Sequence, residues 1–82
     1  MKTLYLYTTL GCHLCEQAKS IAWPVMESLD YRLQEVEIAD DPNLIEQYGV
    51  RIPVLAKTMG EQGLGWPFSP QQLTQYLMHP AG

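Results

Sequence analysis

The chain has 82 residues, 46% of them hydrophobic, which suits one small core and a single domain over 1–82. Nine acidic against five basic side chains give a formal charge of −4, which argues against nucleic acid and anionic membranes as partners. Two cysteines are too few for a secreted disulfide scaffold, no charged-then-apolar leader opens the chain, and no apolar run approaches the ~20 residues that cross a bilayer, so a soluble cytoplasmic monomer is expected.

Thr3 to Thr8 is aromatic, aliphatic and β-branched throughout and is bounded by Gly11, which predicts a central strand apolar on both faces. From Cys12 onward, Leu14, Ala18, Ile21, Ala22, Val25 and Leu29 recur at helical spacing and end near Asp30. Pro24 should kink that helix, because it lacks the N–H that would bond the Ser20 carbonyl. Leu33 to Ile38 reads as a strand with Val36 and Ile38 inward and Glu35 and Glu37 toward water. Tyr31 and Leu33 are out of phase with it, and a bulge is expected between them.

Asp40, Asp41 and Pro42 cap a short helix that runs to Tyr48 and stops at Gly49. Pro53 to Ala56 predicts a third strand, opening on proline where a missing N–H is tolerated, and Gly60, Gly63 and Gly65 bracket a weak fourth strand around Leu64 to Trp66. Ser69, Pro70 and Gln72 form a capping box for a last helix with Leu73, Tyr76 and Leu77 inward. The order is β-α-β-α-β-β-α, with a parallel first pair and a closing hairpin. It implies an α/β fold in which a four-stranded mixed sheet carries helices on both faces.

Cys12-His13-Leu14-Cys15 falls where the first strand hands over to the first helix. Unpaired N–H groups and the dipole at a helix N-terminus favour an anion, so Cys12 is the candidate nucleophilic thiolate. Cys15 lies one turn further in on the same face, within reach for a Cys12–Cys15 disulfide, and is the candidate resolving thiol. Two blander readings compete: inert apolar packing of the cysteines, and half a zinc site completed by His13 and His79. The strand–helix setting favours redox chemistry and no metal.

A C-x-x-C after a first strand, followed about forty residues later by the aliphatic-proline pair Ile52-Pro53, resembles glutaredoxins and thioredoxins. The resemblance covers nearly the whole chain, and the early position of the cysteines matches the minimal glutaredoxin unit. It implies a thioredoxin-like fold of glutaredoxin type and an intracellular thiol–disulfide oxidoreductase. It also implies that Pro53 is cis beside Cys12, with the Ile52 peptide groups offered to an extended substrate in a groove formed by Gly11, His13, Arg51, Ile52 and Pro53. Substrates would be disulfides of proteins or small molecules, reduced without a bound cofactor, with glutathione or thioredoxin reductase as electron donor.

Against glutathione stand three departures. Thr9 occupies the position of the usual lysine, His13-Leu14 replaces proline and an aromatic between the cysteines, and Gly65-Trp66-Pro67-Phe68-Ser69 replaces the glycine pair and acid before the last helix. That last segment is similar to a family of small bacterial glutaredoxin-like proteins, a likeness that fixes fold more firmly than substrate. Thr9 and the Ser69 N–H remain candidate contacts for an anion such as a glutathione carboxylate. Arg51 could aim its guanidinium at Cys12, and His13 when protonated would stabilise the thiolate, whereas Glu16 would oppose ionisation of Cys15 unless Lys19 pairs with it. The competing class of function is a thioredoxin-fold binding or redox-sensing module.

Overall fold

The computed structural model describes residues 2–78; His79 lies outside them. The elements are β1 (Lys2–Thr8), α1 (His13–Ser28), β2 (Tyr31–Glu37), α2 (Pro42–Tyr48), β3 (Val54–Ala56), β4 (Leu64–Gly65) and α3 (Pro70–Met78). They form one mixed sheet in the order β2-β1-β3-β4, with β1 parallel to β2 and antiparallel to β3, and β3 antiparallel to β4. This is the α/β architecture anticipated from the element order and the thioredoxin-like fold that the resemblance implied.

Strand alternation divides the apolar residues between two cores. Leu4, Leu6 and Leu55 face α1 and α3, where Ala18, Ala22, Met26, Leu73 and Leu77 are buried against them. Tyr7, Val54 and Ala56 face the other way and enclose Tyr48 of α2 together with Ile38. The near-continuous hydrophobicity of β1 follows from this double coverage.

The same geometry removes the bulge expected in β2. Its register against β1 is unbroken from Lys2↔Tyr31 to Thr8↔Glu37. Tyr31 and Leu33 pack on the α1/α3 core and Val36 and Ile38 on the α2 core, so the apparent change of phase is one strand serving two faces. Helix α1 continues four residues beyond Pro24, which sits on its exposed side, and it stops at Ser28, earlier than the apolar spacing suggested. Asp30 then turns the chain with φ +62°.

The caps read from sequence are present. Asp41 accepts a hydrogen bond from the Asn43 N–H at 2.9 Å. Ser69 Oγ accepts from the Gln72 N–H at 3.1 Å while the Ser69 N–H donates to Gln72 Oε1 at 2.8 Å, the reciprocal pair of a capping box.

Candidate active site

Three chain segments meet at the C-terminal end of β1. The β1–α1 loop carries Thr9 to Cys12, the end of β2 brings Glu37 opposite Thr8, and the antiparallel register of β3, with Val54 opposite Tyr7, places the start of β3, preceded by Ile52-Pro53, toward the same end of the sheet. Gly11 makes the tight turn between strand and helix at φ +79°, a left-handed conformation that a side chain would strain even though the space around it is open.

Cys12 is the N-cap of α1, and its sulfur accepts a hydrogen bond from the Cys15 N–H at 3.1 Å. That donor is one of the first-turn N–H groups without a helical partner, so in the reduced protein it stands where a thiolate at Cys12 would meet both a specific donor and the helix dipole. The two sulfurs are joined in a disulfide, with the Cα atoms 5.3 Å apart. Cys15 is only 2% exposed, whereas Cys12 is half-buried and lines a groove. An incoming reagent therefore meets Cys12 first.

The groove encloses about 450 Å³ and is walled by Thr8, Thr9, Leu10, Gly11, Cys12 and His13, with the acids Glu16, Glu35 and Glu37. Lys19 bridges two of these, at 3.2 Å from Glu16 and 2.9 Å from Glu35, and the bond to Glu35 followed by that to Glu16 raises its pKa. Glu37 accepts the Ala39 N–H at 3.0 Å. That bond, with the Thr9 side chain and the Leu10 N–H adding to it, holds the Glu37 carboxyl below its ordinary pKa.

Just before β3, outside the residues that line this groove, the Ile52–Pro53 bond is cis and Pro53 is buried, its carbonyl accepting the Trp66 N–H at 3.0 Å. The Trp66–Pro67 bond next to it is also cis, which the sequence reading did not anticipate.

Several expected contacts are placed differently. The Ile52 N–H is not open to a substrate strand, because it donates to the Tyr48 carbonyl at 3.0 Å. Arg51 turns from Cys12: its Nη2 donates to the Gln62 carbonyl at 2.8 Å and its guanidinium lies 6.0 Å from the centre of the Tyr48 ring. Of the expected groove residues Gly11 and His13 line the wall at Cys12, whereas Arg51, Ile52 and Pro53 do not. The Ser69 N–H is occupied by Gln72, so it is not the expected anion contact. Thr9 does line the groove, where its side chain supports Glu37.

Leu10, Glu35 and Glu37 were missed as site residues. Alternation alone sends both acids to water, and only the parallel register of β2 on β1 brings Glu37 to the cysteine loop. Among the described residues no cluster of three His, Cys, Asp or Glu side chains is arranged to hold a metal ion. None of the helices described is long and apolar enough to cross a membrane.

A C-x-x-C at a strand-to-helix junction, with a cis-proline opening the third strand of a four-stranded mixed sheet, defines a glutaredoxin-like member of the thioredoxin superfamily. The chain belongs to the Glutaredoxin-like domain (DUF836) family, whose model matches residues 3–78. It is similar to the X-ray structure of the target protein XcR50 from X. campestris, with 38% identity and a TM-score of 0.76 over 90% of this chain and 93% of that one. The solution structure of XcR50 is similar at 36% identity and a TM-score of 0.76, covering 96% of this chain and 97% of the other. No curated protein matches the chain.

Proposed function

We propose that the protein is a thiol–disulfide oxidoreductase in which Cys12 is the attacking thiol and Cys15 the resolving one. The observation that carries this reading is the asymmetry of the pair: Cys12 is reachable in a groove at a helix N-terminus and Cys15 is buried behind it. In the reduced protein the Cys12 thiolate attacks one sulfur of a substrate disulfide. A mixed disulfide forms, and the other substrate sulfur leaves as a thiolate and takes a proton. The Cys15 thiol then loses its proton and attacks Cys12 Sγ, forming the intramolecular disulfide and expelling the second substrate thiolate.

Two electrons pass from the dithiol to the substrate, and an external thiol or dithiol reductant returns them. A reducing cytoplasm, with glutathione or thioredoxin reductase as the source, fits that cycle. No bound cofactor is required by it.

Rates of insulin or small-disulfide reduction, with mass spectrometry of adducts, test the reading. Cys15→Ser should accumulate a mixed disulfide on Cys12, and Cys12→Ser should form none. Wild-type rates in the Cys12→Ser protein would leave a binding or redox-sensing module as the better description.

A further inference from the structure

We infer that the Cys12 groove selects disulfides embedded in basic polypeptide segments and rejects anionic ones such as glutathione disulfide, with Glu16 and Glu37 as specificity-determining residues. The inference rests on the exchange reading above and names the substrate class of that same site.

It starts from the way charge is distributed over the whole molecule. Of five basic side chains in the sequence, none is directed into the groove. Lys2 and Arg32 sit at the starts of β1 and β2, the far end of the sheet from Cys12; Lys2 lies over the Tyr31 ring and Arg32 bonds Thr3. Lys57 lies over the Tyr76 ring, and Arg51 is held on the Gln62 carbonyl. Lys19 alone approaches the site, already bridging Glu16 and Glu35.

Three carboxylates in the wall against that one ammonium leave a net charge of −2 beside Cys12 when His13 is neutral. Hydrogen bonding keeps Glu37 ionised, so the charge persists across the neutral range. Position 9, three residues before Cys12, holds a threonine that supports this acid where a cation could have met a carboxylate.

A second set of side chains points to a polypeptide as the occupant. Leu10, 92% exposed, lines the groove, and Leu14, 43% exposed, lies two residues after Cys12 in the first turn of α1. A tripeptide disulfide with two carboxylates on each half brings like charge to this wall and little apolar surface to the leucines. A chain segment with Lys or Arg next to its cysteine, and apolar residues beyond, matches both.

The test uses single-turnover oxidation of the reduced protein, which needs no external donor. Three synthetic peptides share one intramolecular disulfide and differ only in flanking residues: two Arg, two Ser or two Glu. Each rate is normalised to reduction of the same peptide by dithiothreitol, which removes intrinsic differences in disulfide reactivity.

At low salt the Arg peptide should react about tenfold faster than the Glu peptide, and the gap should shrink at high salt as screening sets in. The combined Glu16→Gln and Glu37→Gln variant, which keeps an acceptor oxygen at each position, should close most of the gap. Equal normalised rates, or a faster Glu peptide, would overturn the inference while leaving exchange intact if the Ser peptide is reduced through Cys12. If no peptide is reduced, the exchange reading fails. Selectivity is then decided by affinity of linear Arg and Glu peptides for the Cys12→Ser, Cys15→Ser protein, where equal affinity overturns it.

Discussion

The loop from Thr9 to Cys12 and the turn between β3 and β4 are both short connections, yet they are held in opposite ways. The cysteine loop has one internal backbone bond, from the Cys12 N–H to the Thr9 carbonyl at 3.3 Å, and Leu10 stands almost wholly in solvent. The β3–β4 turn is fastened by three tyrosines from three different elements. Tyr7 of β1 accepts the Gly60 N–H at 3.0 Å, and Tyr48 of α2 donates to the Glu61 carbonyl at 2.6 Å. Tyr76 of α3 donates to the Glu61 carboxylate and accepts the Lys57 N–H at 3.0 Å. Tyr7 and Tyr48 also stack, with ring centres 3.9 Å apart. The turn is thus tied by side chains reaching in from three elements, whereas the cysteine loop, held by its disulfide and by the bonds of Thr9 and Leu10 to Glu37, leaves the Leu10 side chain to solvent and Cys12 approachable from the groove.

The largest effect should come from the cysteine loop. Cys12→Ser should lower disulfide reduction about 100-fold or more, since the thiolate is the attacking species, with the folded protein retained by circular dichroism. On the fastened side, Tyr48→Phe deletes a hydroxyl bonded to the Glu61 carbonyl and to the Gln47 side chain. Chemical denaturation should show a loss of about 1–2 kcal/mol, the cost of unpairing a partly buried acceptor, with the wild-type rate of Cys12 alkylation in the reduced protein. A change in that rate without a change in stability would dissolve the contrast.

The pH dependence of stability sharpens it further. Burial opposes the charge of Glu61, but hydrogen bonds from Tyr76 and from the Lys57 and Thr58 N–H groups outweigh it, so its pKa is lowered on folding. The stabilisation is therefore present above the ordinary glutamate pKa and is lost as pH falls through the lower, folded value. Glu61→Gln should flatten that acid limb in denaturation curves measured at successive pH values.

At the alkaline side, burial and then the neighbouring Tyr7 phenol raise Tyr48 to about 12. Stability should fall between the ordinary tyrosine pKa of about 10 and that value, because only the unfolded chain ionises there, and Tyr48→Phe should remove this part of the decline. The smallest effect is expected from Leu10→Ala, within about 0.5 kcal/mol by denaturation, because an exposed leucine in an open loop gives up almost no buried area.

The elements were legible because each carries its own local signal: Asp41 before Pro42, Ser69 three residues before Gln72, and the two-sided hydrophobicity of β1. Cys12 and Cys15 were legible for the same reason, since spacing and position at a helix start are properties of consecutive residues. What escaped depended on pairings between distant segments. The direction of Arg51 is decided by a carbonyl at Gln62, and the availability of the Ile52 N–H by how the chain turns after Tyr48. Glu37 becomes a neighbour of the cysteine loop only through seven residues of parallel register.

That register leaves β2 at the margin of the sheet, while the opposite margin is the two-residue β4. An unpaired margin of seven residues offers a row of backbone donors and acceptors to any extended chain, including a second copy. Arg32, Gln34 and Glu35 stand exposed along it, so another β2 laid alongside would have to accommodate polar and charged side chains at several positions. The strand that delivers Glu37 to the groove thus also guards the molecule against growing by sheet extension, and substitutions that make it more apolar carry a risk of self-association unrelated to the cysteines.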